Sequence, residues 1–239
     1  MIIDSGTRDR EGTDRQAPAG LSADKDTAGS VAIVERCGLL EYRQTWERMR
    51  DITLSRAPGD PDQLWVLQHP PVYTLGLAAR EQHLPRNPTH IPVIKTDRGG
   101  QITYHGPGQL IVYTLIDLRR LGIGVRKLVR KLEQSVIDLL AIYGIEGTGS
   151  EQAPGVYVKG AKVAALGLRI RNGCSYHGLS LNVDMDLTPF SSIDPCGYPG
   201  LQVSQLRELG IGEEMHVLSE QLIESLQANL WNKHRMDNQ

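Results

Sequence analysis

Cysteine is scarce in this chain of 239 residues, which has only three. Cys37, Cys174 and Cys196 cannot all pair with one another, and no two of them form a C-x-x-C motif. This pattern disfavours a disulfide scaffold and a zinc ribbon, so we expect no metal site. It predicts instead a reducing, cytoplasmic compartment.

Long apolar runs are also absent. The longest, residues 110–116, is interrupted by Thr114 and is far shorter than the ~18–20 residues that cross a bilayer. The amino terminus lacks the apolar core of a signal peptide, because Asp4 and Arg8 follow closely on Met1. The sequence therefore predicts no association with a membrane.

The chain has no excess of positive charge. Its 26 Lys and Arg residues are balanced by 28 Asp and Glu residues, which gives a formal net charge of −2. This balance argues against a dedicated nucleic-acid-binding protein, in which basic residues would outnumber acidic ones.

Residues 1–30 lack any pattern that could bury one face of a helix or strand. They are rich in charged residues and glycine and contain no aromatic residue. We therefore predict a disordered leader over residues 1–30 and a single domain over residues 31–239. A domain of this size buries roughly 70–75% of the surface of its unfolded chain, so it needs no disulfide or metal to fold.

The hydrophobic pattern of residues 31–239 groups short strands together, with helices between the groups. Apolar residues at helical spacing predict helices over residues 39–50, 125–143 and 215–230. Short apolar or alternating runs predict strands over residues 64–67, 72–75, 93–96, 110–116, 156–159, 162–170 and 179–183. This order predicts an α+β fold with a mixed or antiparallel sheet flanked by helices.

Two common phosphate-binding motifs are missing. Gly122 and Gly124 would need a third glycine at the position of Lys127 to form a dinucleotide fingerprint, and no glycine cluster ends in Gly-Lys-Ser/Thr. What remains is the segment Arg98-Gly-Gly-Gln-Ile-Thr-Tyr-His105-Gly-Pro-Gly-Gln109, whose glycines would let the backbone approach a ligand closely. Arg98 offers a planar fork of donors. The alternative interpretation is a hairpin whose polar residues only cap turns.

Three further segments carry chemically useful residues. Lys162 opens a strand of small residues that leave room on one face, although a lysine at a strand end is usually solvated. His177 precedes a strand, where a hydrogen-bonded structural histidine is the simpler interpretation. Cys196 lies on a loop bounded by proline and glycine, a setting that favours a nucleophile over a core cysteine. We interpret Cys37 and Cys174 as structural.

Four motifs in the right order resemble the octanoyltransferase family. They are the segment 98–109, Lys162-Val-Ala-Ala-Leu-Gly167, His177-Gly-Leu-Ser-Leu-Asn182 and Pro195-Cys-Gly-Tyr198, and the resemblance covers about residues 33–215. It implies a catalytic domain related to biotin and lipoate protein ligases. It also implies transfer of an octanoyl or lipoyl group from acyl carrier protein to a lysine of a lipoyl domain, through a cysteine thioester.

The resemblance also implies roles for individual residues. Cys196 matches the thioester cysteine and Lys162 the catalytic lysine. Ala165 stands where a serine is also common in the family. The positions that match the acyl-binding segments are Arg98, Gly99, Gly100, Gln101, Ile102, Thr103, Tyr104, His105, Ala165, Leu166, Gly167, Gly178, Leu179 and Ser180.

The partners follow from the same resemblance. It implies octanoyl-acyl carrier protein as the donor, and lipoyl domains of 2-oxoacid dehydrogenase E2 subunits and glycine cleavage H protein as acceptors. Thioester exchange requires no ATP, so we expect no cofactor, and we expect a monomer.

Three alternatives compete with this interpretation. An ATP-dependent lipoate or biotin protein ligase of the same fold would need no nucleophilic cysteine. A Cys/His hydrolase would use His105 or His177 as its base. A carrier-protein-binding module without turnover would have no use for both Cys196 and Lys162.

Basic residues concentrate on one predicted helix. Arg126, Lys127, Arg130 and Lys131 cluster opposite its apolar stripe at ~100° per residue. This arrangement predicts an exposed cationic face that docks an acidic carrier protein. The alternative is an ordinary solvated helix face.

Overall fold

The computed structural model describes residues 25–26, 32–86, 90–194 and 200–232. The described helices are α1 (Tyr42–Ser55), α2 (Leu118–Leu121), α3 (Val125–Ile142) and α4 (Met215–Trp231). Short 3-10 helices lie at Glu81–His83, Thr188–Ser192 and Leu206–Leu209. None of the helices in these described ranges is long and apolar enough to span a membrane.

The strands form two sheets. They are β1 (Lys25–Asp26), β2 (Ala32–Leu39), β3 (Asp62–Gln68), β4 (Val72–Leu75), β5 (Val93–Lys95), β6 (Ile102–His105), β7 (Gln109–Leu115), β8 (Thr148–Gly149), β9 (Gly155–Val158), β10 (Ala161–Arg171) and β11 (Cys174–Asn182). The large sheet has the order β1-β2-β3-β7-β11-β10-β9-β8, and the small sheet has the order β5-β4-β6. The β2–β3 and β4–β5 pairs are parallel and the other pairs are antiparallel. The prediction of an α+β fold with a mixed sheet is therefore confirmed.

The two faces of the large sheet are covered by different helices. Along β7, Leu110 and Val112 belong to the main core with α3 and α4, whereas Ile111 and Tyr113 pack on the opposite face with Met49 of α1. This alternation follows from the two-residue period of a strand. The face of Ile111 and Tyr113 is the one that carries the site described below.

The first predicted helix begins later than expected. Helix α1 starts at Tyr42, and Leu39 instead ends β2, where it is exposed. The register of β2 with β3 shifts between Arg36 and Gly38, and Gly38 has a φ of +64° that favours glycine. Beyond this shift β2 continues to pair with β3 as far as Leu39. The prediction for Leu39 was wrong because this pairing overrides helical spacing.

The longer predicted elements are confirmed with shifts of a few residues at their ends. Helix α3 ends at Ile142, two residues before Gly144, whose φ is +69°. The short elements β6 and α2 were missed. Helix α2 is four residues long and depends on the side chain of Asp117, which accepts hydrogen bonds from the backbone N–H groups of Arg119 and Arg120.

Part of the predicted leader is described. Lys25–Asp26 pair antiparallel with Glu35 and Val34 and so add an edge strand to the large sheet. Residues 1–24 and 27–31 lie outside the described residues.

Candidate active site

A cavity lies on the face of the large sheet that carries Ile111 and Tyr113. The space within its walls is about 500 Å³ when the solvent at its opening is included. All the predicted acyl-binding residues line it except Gly99 and Tyr104. Segments far apart in sequence therefore meet around one cavity.

Small residues on β10 and β11 make room for this cavity. Ala165 pairs with Ser180, and Gly167 pairs with Gly178, so four small residues lie together on neighbouring strands. At Gly178 a Cβ atom would lie 2.0 Å from the backbone oxygen of Val112, so a side chain there would displace the neighbouring strand. The backbone of β11 therefore forms a flat cavity wall.

The sequence suggested Arg98 as a donor to a ligand, but its donors bind other groups of the protein. Its guanidinium is buried and donates hydrogen bonds to the hydroxyl and carbonyl oxygens of Thr74 and to the carbonyls of Gly99 and Gln101. These bonds shape the glycine-rich loop from inside. Arg98 thus contributes to the cavity by holding the loop in place.

His105 belongs to a buried polar chain beside the cavity. Its Nδ1 lies 2.7 Å from Oε1 of Gln109, whose Nε2 donates to Oδ1 of Asn182 at 2.9 Å. Burial lowers the pKa of His105 to about 3, so the ring is neutral. Tyr104 packs its ring against Tyr73 and Phe190 in the core of the small sheet, which is why it does not line the cavity.

His177 and Asp97 mark one end of the cavity. Nε2 of His177 lies 3.1 Å from Oδ1 of Asp97, which also accepts a hydrogen bond from Nε1 of Trp46 at 2.8 Å; Tyr176 donates to the other carboxylate oxygen. Burial opposes the ionisation of Asp97, but these hydrogen bonds hold the pKa of its carboxyl below the usual range. Asp97 was not singled out in the sequence.

The sequence favoured His177 as a fully hydrogen-bonded histidine that precedes a strand, and both parts of this interpretation were wrong. The residue lies inside β11 with a φ of +60°, a strained conformation for a residue with a side chain. Burial lowers the pKa of His177, so the ring is neutral and the proton lies on Nε2, which faces the carboxylate of Asp97. Within the described residues, Nδ1 of His177 and Oη of Tyr42 have no hydrogen-bond partner, and both residues line the cavity.

Lys162 lies at the other end. A small recess lined by Lys162, Gln109 and Asn182 adjoins the cavity, and Thr103, Ala165 and Ser180 line both. Lys162 is only 3% exposed, in contrast to the usual solvated lysine at a strand end. Its backbone N–H donates to the carbonyl of Gln202 at 2.8 Å, so its strand is paired with the chain beyond residue 200.

The predicted nucleophile Cys196 lies outside the described residues. The other two cysteines are free thiols and both are buried. Burial, and secondly the negative charge of Glu35, raise the pKa of Cys37 to about 11, which makes it a poor nucleophile at neutral pH. Within the described ranges, no group of three or more His, Cys, Asp or Glu residues is arranged to hold a metal ion.

Comparison with known proteins places this chain in a family. Residues 41–228 match the model of the lipoyl protein ligase A/B catalytic domain. A crystal structure of lipoate-protein ligase A bound with ATP superposes with a TM-score of 0.66 at 17% identity, covering 80% of this chain and 84% of that one. A biotin protein ligase from Aquifex aeolicus gives a TM-score of 0.55 at 15% identity, covering 82% and 69%. The fold is therefore that of the biotin and lipoate ligases.

Sequence relatives narrow the assignment. The chain is 53% identical to an octanoyltransferase of Azoarcus sp. (strain BH72) over 88% of this chain and 94% of that protein. It is 60% identical to an octanoyltransferase of Alkalilimnicola ehrlichii over 74% and 82%. The chain therefore belongs to the lipoyl protein ligase A/B catalytic domain family and, within it, to the octanoyltransferases. This membership makes it an acyltransferase that acts in protein lipoylation.

Proposed function

We propose that this chain transfers an octanoyl or lipoyl group to a lysine of a lipoyl domain through a thioester on Cys196. The observation that carries the proposal is the cavity floored by Ala165, Gly167, Gly178 and Ser180, which begins beside the buried Lys162. The acyl carbonyl lies at the recess of Lys162, and the alkyl chain extends along β11 towards His177.

The dimensions of β11 support this orientation. Asn182 lines the recess of Lys162, and His177 lies five residues earlier on the same strand. At ~3.3–3.4 Å per residue the two ends are about 17 Å apart, which leaves room for an extended acyl chain of medium length. The remaining acyl-binding residues lie between these two ends.

The chemistry requires two steps at one carbonyl carbon. In the first, the thiolate of Cys196 attacks the donor thioester, and the donor thiolate leaves. In the second, the amine of the acceptor lysine attacks, the sulfur of Cys196 leaves, and the amine gives up a proton as the amide forms. Exchange between thioesters is nearly isoenergetic, so no ATP is consumed.

Lys162 has a role in each step. Its ammonium stabilises the thiolate of Cys196 before acylation and gives its proton to the departing donor thiolate. The neutral amine then accepts the proton of the incoming lysine as the amide forms. Backbone N–H groups of the glycine-rich loop are the donors we propose for the negative oxygen of the tetrahedral intermediates.

The partners and setting are part of the same proposal. The acyl donor is octanoyl-acyl carrier protein, and the acceptors are lipoyl domains of 2-oxoacid dehydrogenase E2 subunits and glycine cleavage H protein. The enzyme acts as a monomer. Its single catalytic domain spans residues 31–239 and follows a leader over residues 1–30. The free thiols of Cys37 and Cys174 support a reducing, cytoplasmic location.

A turnover assay distinguishes this proposal from the ligase alternative. With octanoyl-acyl carrier protein and a lipoyl domain, we expect octanoyl-lysine on the acceptor in the absence of ATP. With free octanoate, ATP and the same acceptor, we expect no product and no release of pyrophosphate. Modification that depends on ATP and free octanoate would instead identify a ligase.

A further inference from the structure

Glu133 is a buried carboxylate on α3 that the sequence did not bring to attention. It is only 6% exposed, and its Oε1 accepts a hydrogen bond of 2.9 Å from the backbone N–H of Gly155. The side chain also lies against Gly149, where a Cβ atom would come within 3.0 Å of Oε2. Burying a carboxylate is costly unless its charge is compensated, so a compensating partner is expected nearby.

Gly155 contacts Lys162 as well as Glu133. A Cβ atom on Gly155 would lie 2.4 Å from Cε and 3.0 Å from Nζ of Lys162, so only a glycine leaves space for this lysine. The Nζ atom also lies 5.2 Å from the centre of the Tyr157 ring. One glycine backbone therefore contacts both the carboxylate of Glu133 and the side chain of Lys162.

The charges around Glu133 single out Lys162 as its buried counter-charge. The pKa of Glu133 is raised above its usual value because burial outweighs the hydrogen bonds from the backbone of Gly155 and Ser150 and the positive charges of Lys162 and Arg130, all of which lower it. Arg130 is exposed and pairs with Glu151, so solvent screens its charge. Lys162 is buried, and charges interact more strongly where water is scarce.

We propose that Glu133 is a positioning residue for Lys162, acting across Gly155 to direct the side chain towards the acyl cavity and to favour its charged form. This inference rests on the proposed role of Lys162 in octanoyl transfer. The described groups beside Lys162 include Glu133 from α3, the Tyr157 ring from β9, and the neutral amides of Gln109 and Asn182. A carboxylate that acts across a backbone segment favours the ammonium less strongly than a direct ion pair would.

The substitution Glu133→Gln tests this role because it removes the charge and keeps an oxygen that accepts from Gly155. In the full chain with ¹³Cε-labelled lysine, with the Lys162 signal assigned through Lys162→Arg, NMR reports the pH at which Lys162 loses its proton. We expect that pH to fall by about one unit in Glu133→Gln. Octanoyl transfer at neutral pH should fall at least tenfold, with the pH–rate profile displaced in the same direction.

Two further variants control the experiment. Asp138→Asn removes another carboxylate of α3, one that accepts hydrogen bonds from Gln134 and Asn229, and should leave the Lys162 titration unchanged. Glu133→Asp withdraws the carboxylate by one methylene and should lower the pH of the Lys162 titration by less than Glu133→Gln does. If Glu133→Gln does not fold, the test uses Glu133→Asp instead. A folded Glu133 variant with an unchanged Lys162 titration would overturn the proposal. Failure of the wild type to transfer octanoyl would refute the proposed function but leave the titration interpretable.

Discussion

The imidazole of His177 donates from Nε2 to the carboxylate of Asp97 across 3.1 Å, although the two residues are 80 positions apart. This bond fixes the neutral ring so that the lone pair of Nδ1 has no hydrogen-bond partner among the described residues beside the cavity. The strained backbone of His177 is thus held by a charged acceptor that also binds Trp46 and Tyr176.

Asp97→Asn should destabilise the fold. The amide cannot accept all three hydrogen bonds as a carboxylate does, so we expect a loss of about 1–3 kcal/mol in the free energy of unfolding. Because the pKa of Asp97 is lowered in the folded state, its contribution is complete above its unfolded pKa of ~3.9 and is lost as the pH falls through the folded value. Urea denaturation at pH 7 and at pH 3 measures this difference, which should be smaller at pH 3. Asp51→Asn, at a largely exposed site, is the control and should change stability by less than ~0.5 kcal/mol.

Tyr42→Phe should relax the choice of acyl chain length. Tyr42 is buried and lines the cavity, so a longer alkyl chain that reaches its hydroxyl must place hydrocarbon against a polar group. Its removal should raise kcat/KM for decanoyl relative to octanoyl donor by about tenfold. The matched variant Tyr143→Phe lies outside the cavity lining, loses a hydrogen bond to Gln221 and should cost about 1 kcal/mol of stability without changing the ratio. An unchanged ratio in Tyr42→Phe would refute a role of Tyr42 in limiting the length of the acyl chain.

Lys162→Arg should separate the two half-reactions. Arginine keeps the positive charge that stabilises the thiolate, so acylation by the donor should persist. It does not lose its proton, so amide formation should fall by at least ~100-fold, the size of a general-base contribution. Single-turnover kinetics with a preacylated enzyme measure the second step alone. A wild-type rate for that step in Lys162→Arg would assign the general base to another group.

The basic face of α3 is smaller than the sequence predicted. Arg126, Lys127 and Arg130 are exposed, but Arg130 pairs with Glu151, and Lys131 is half-buried with its ammonium bonded to the carbonyl of Asn229. Its role in docking the carrier protein stays a prediction. Reversing the charge of Arg126, Lys127 and Arg130 should raise KM for octanoyl-acyl carrier protein several-fold, and added salt should reduce the difference.

A control for the docking prediction uses Arg43, an exposed residue of α1. Arg43→Glu should leave KM for the carrier protein unchanged. A small donor such as octanoyl-pantetheine should react equally well with all variants. If the triple variant shows an unchanged KM that does not depend on salt, the basic face of α3 is an ordinary solvated face with no role in docking the carrier protein.

Local patterns were sufficient for most of the fold. The apolar stripe of α3 could be predicted because Leu128, Leu132, Val136 and Leu139 are all fully buried against one core. The small sheet was only partly predicted, since β6 has four residues and its pairing with β4 is not encoded in local periodicity. The start of α1 depended on the register of β2 with β3, which is also a long-range property.

The candidate site was predicted unevenly for a similar reason. Lys162 and the glycine-rich segment came from motifs, and the structure places both beside one cavity. Asp97 and Glu133 are single acidic residues with no motif of their own, and they matter through contacts with residues 80 and 22 positions away. Arg98 was recognised as important, but its direction into the loop depends on Thr74, which the sequence gives no reason to pair with it.

The most direct test of the central proposal is intact mass spectrometry of the enzyme mixed with octanoyl-acyl carrier protein and no acceptor. We expect one added octanoyl group, localised by peptide mapping to Cys196, released by a lipoyl domain and absent in Cys196→Ser. Cys37→Ser and Cys174→Ser should acquire the same adduct as the wild type. An adduct on Cys37 or Cys174, or full turnover by Cys196→Ser, would contradict the account.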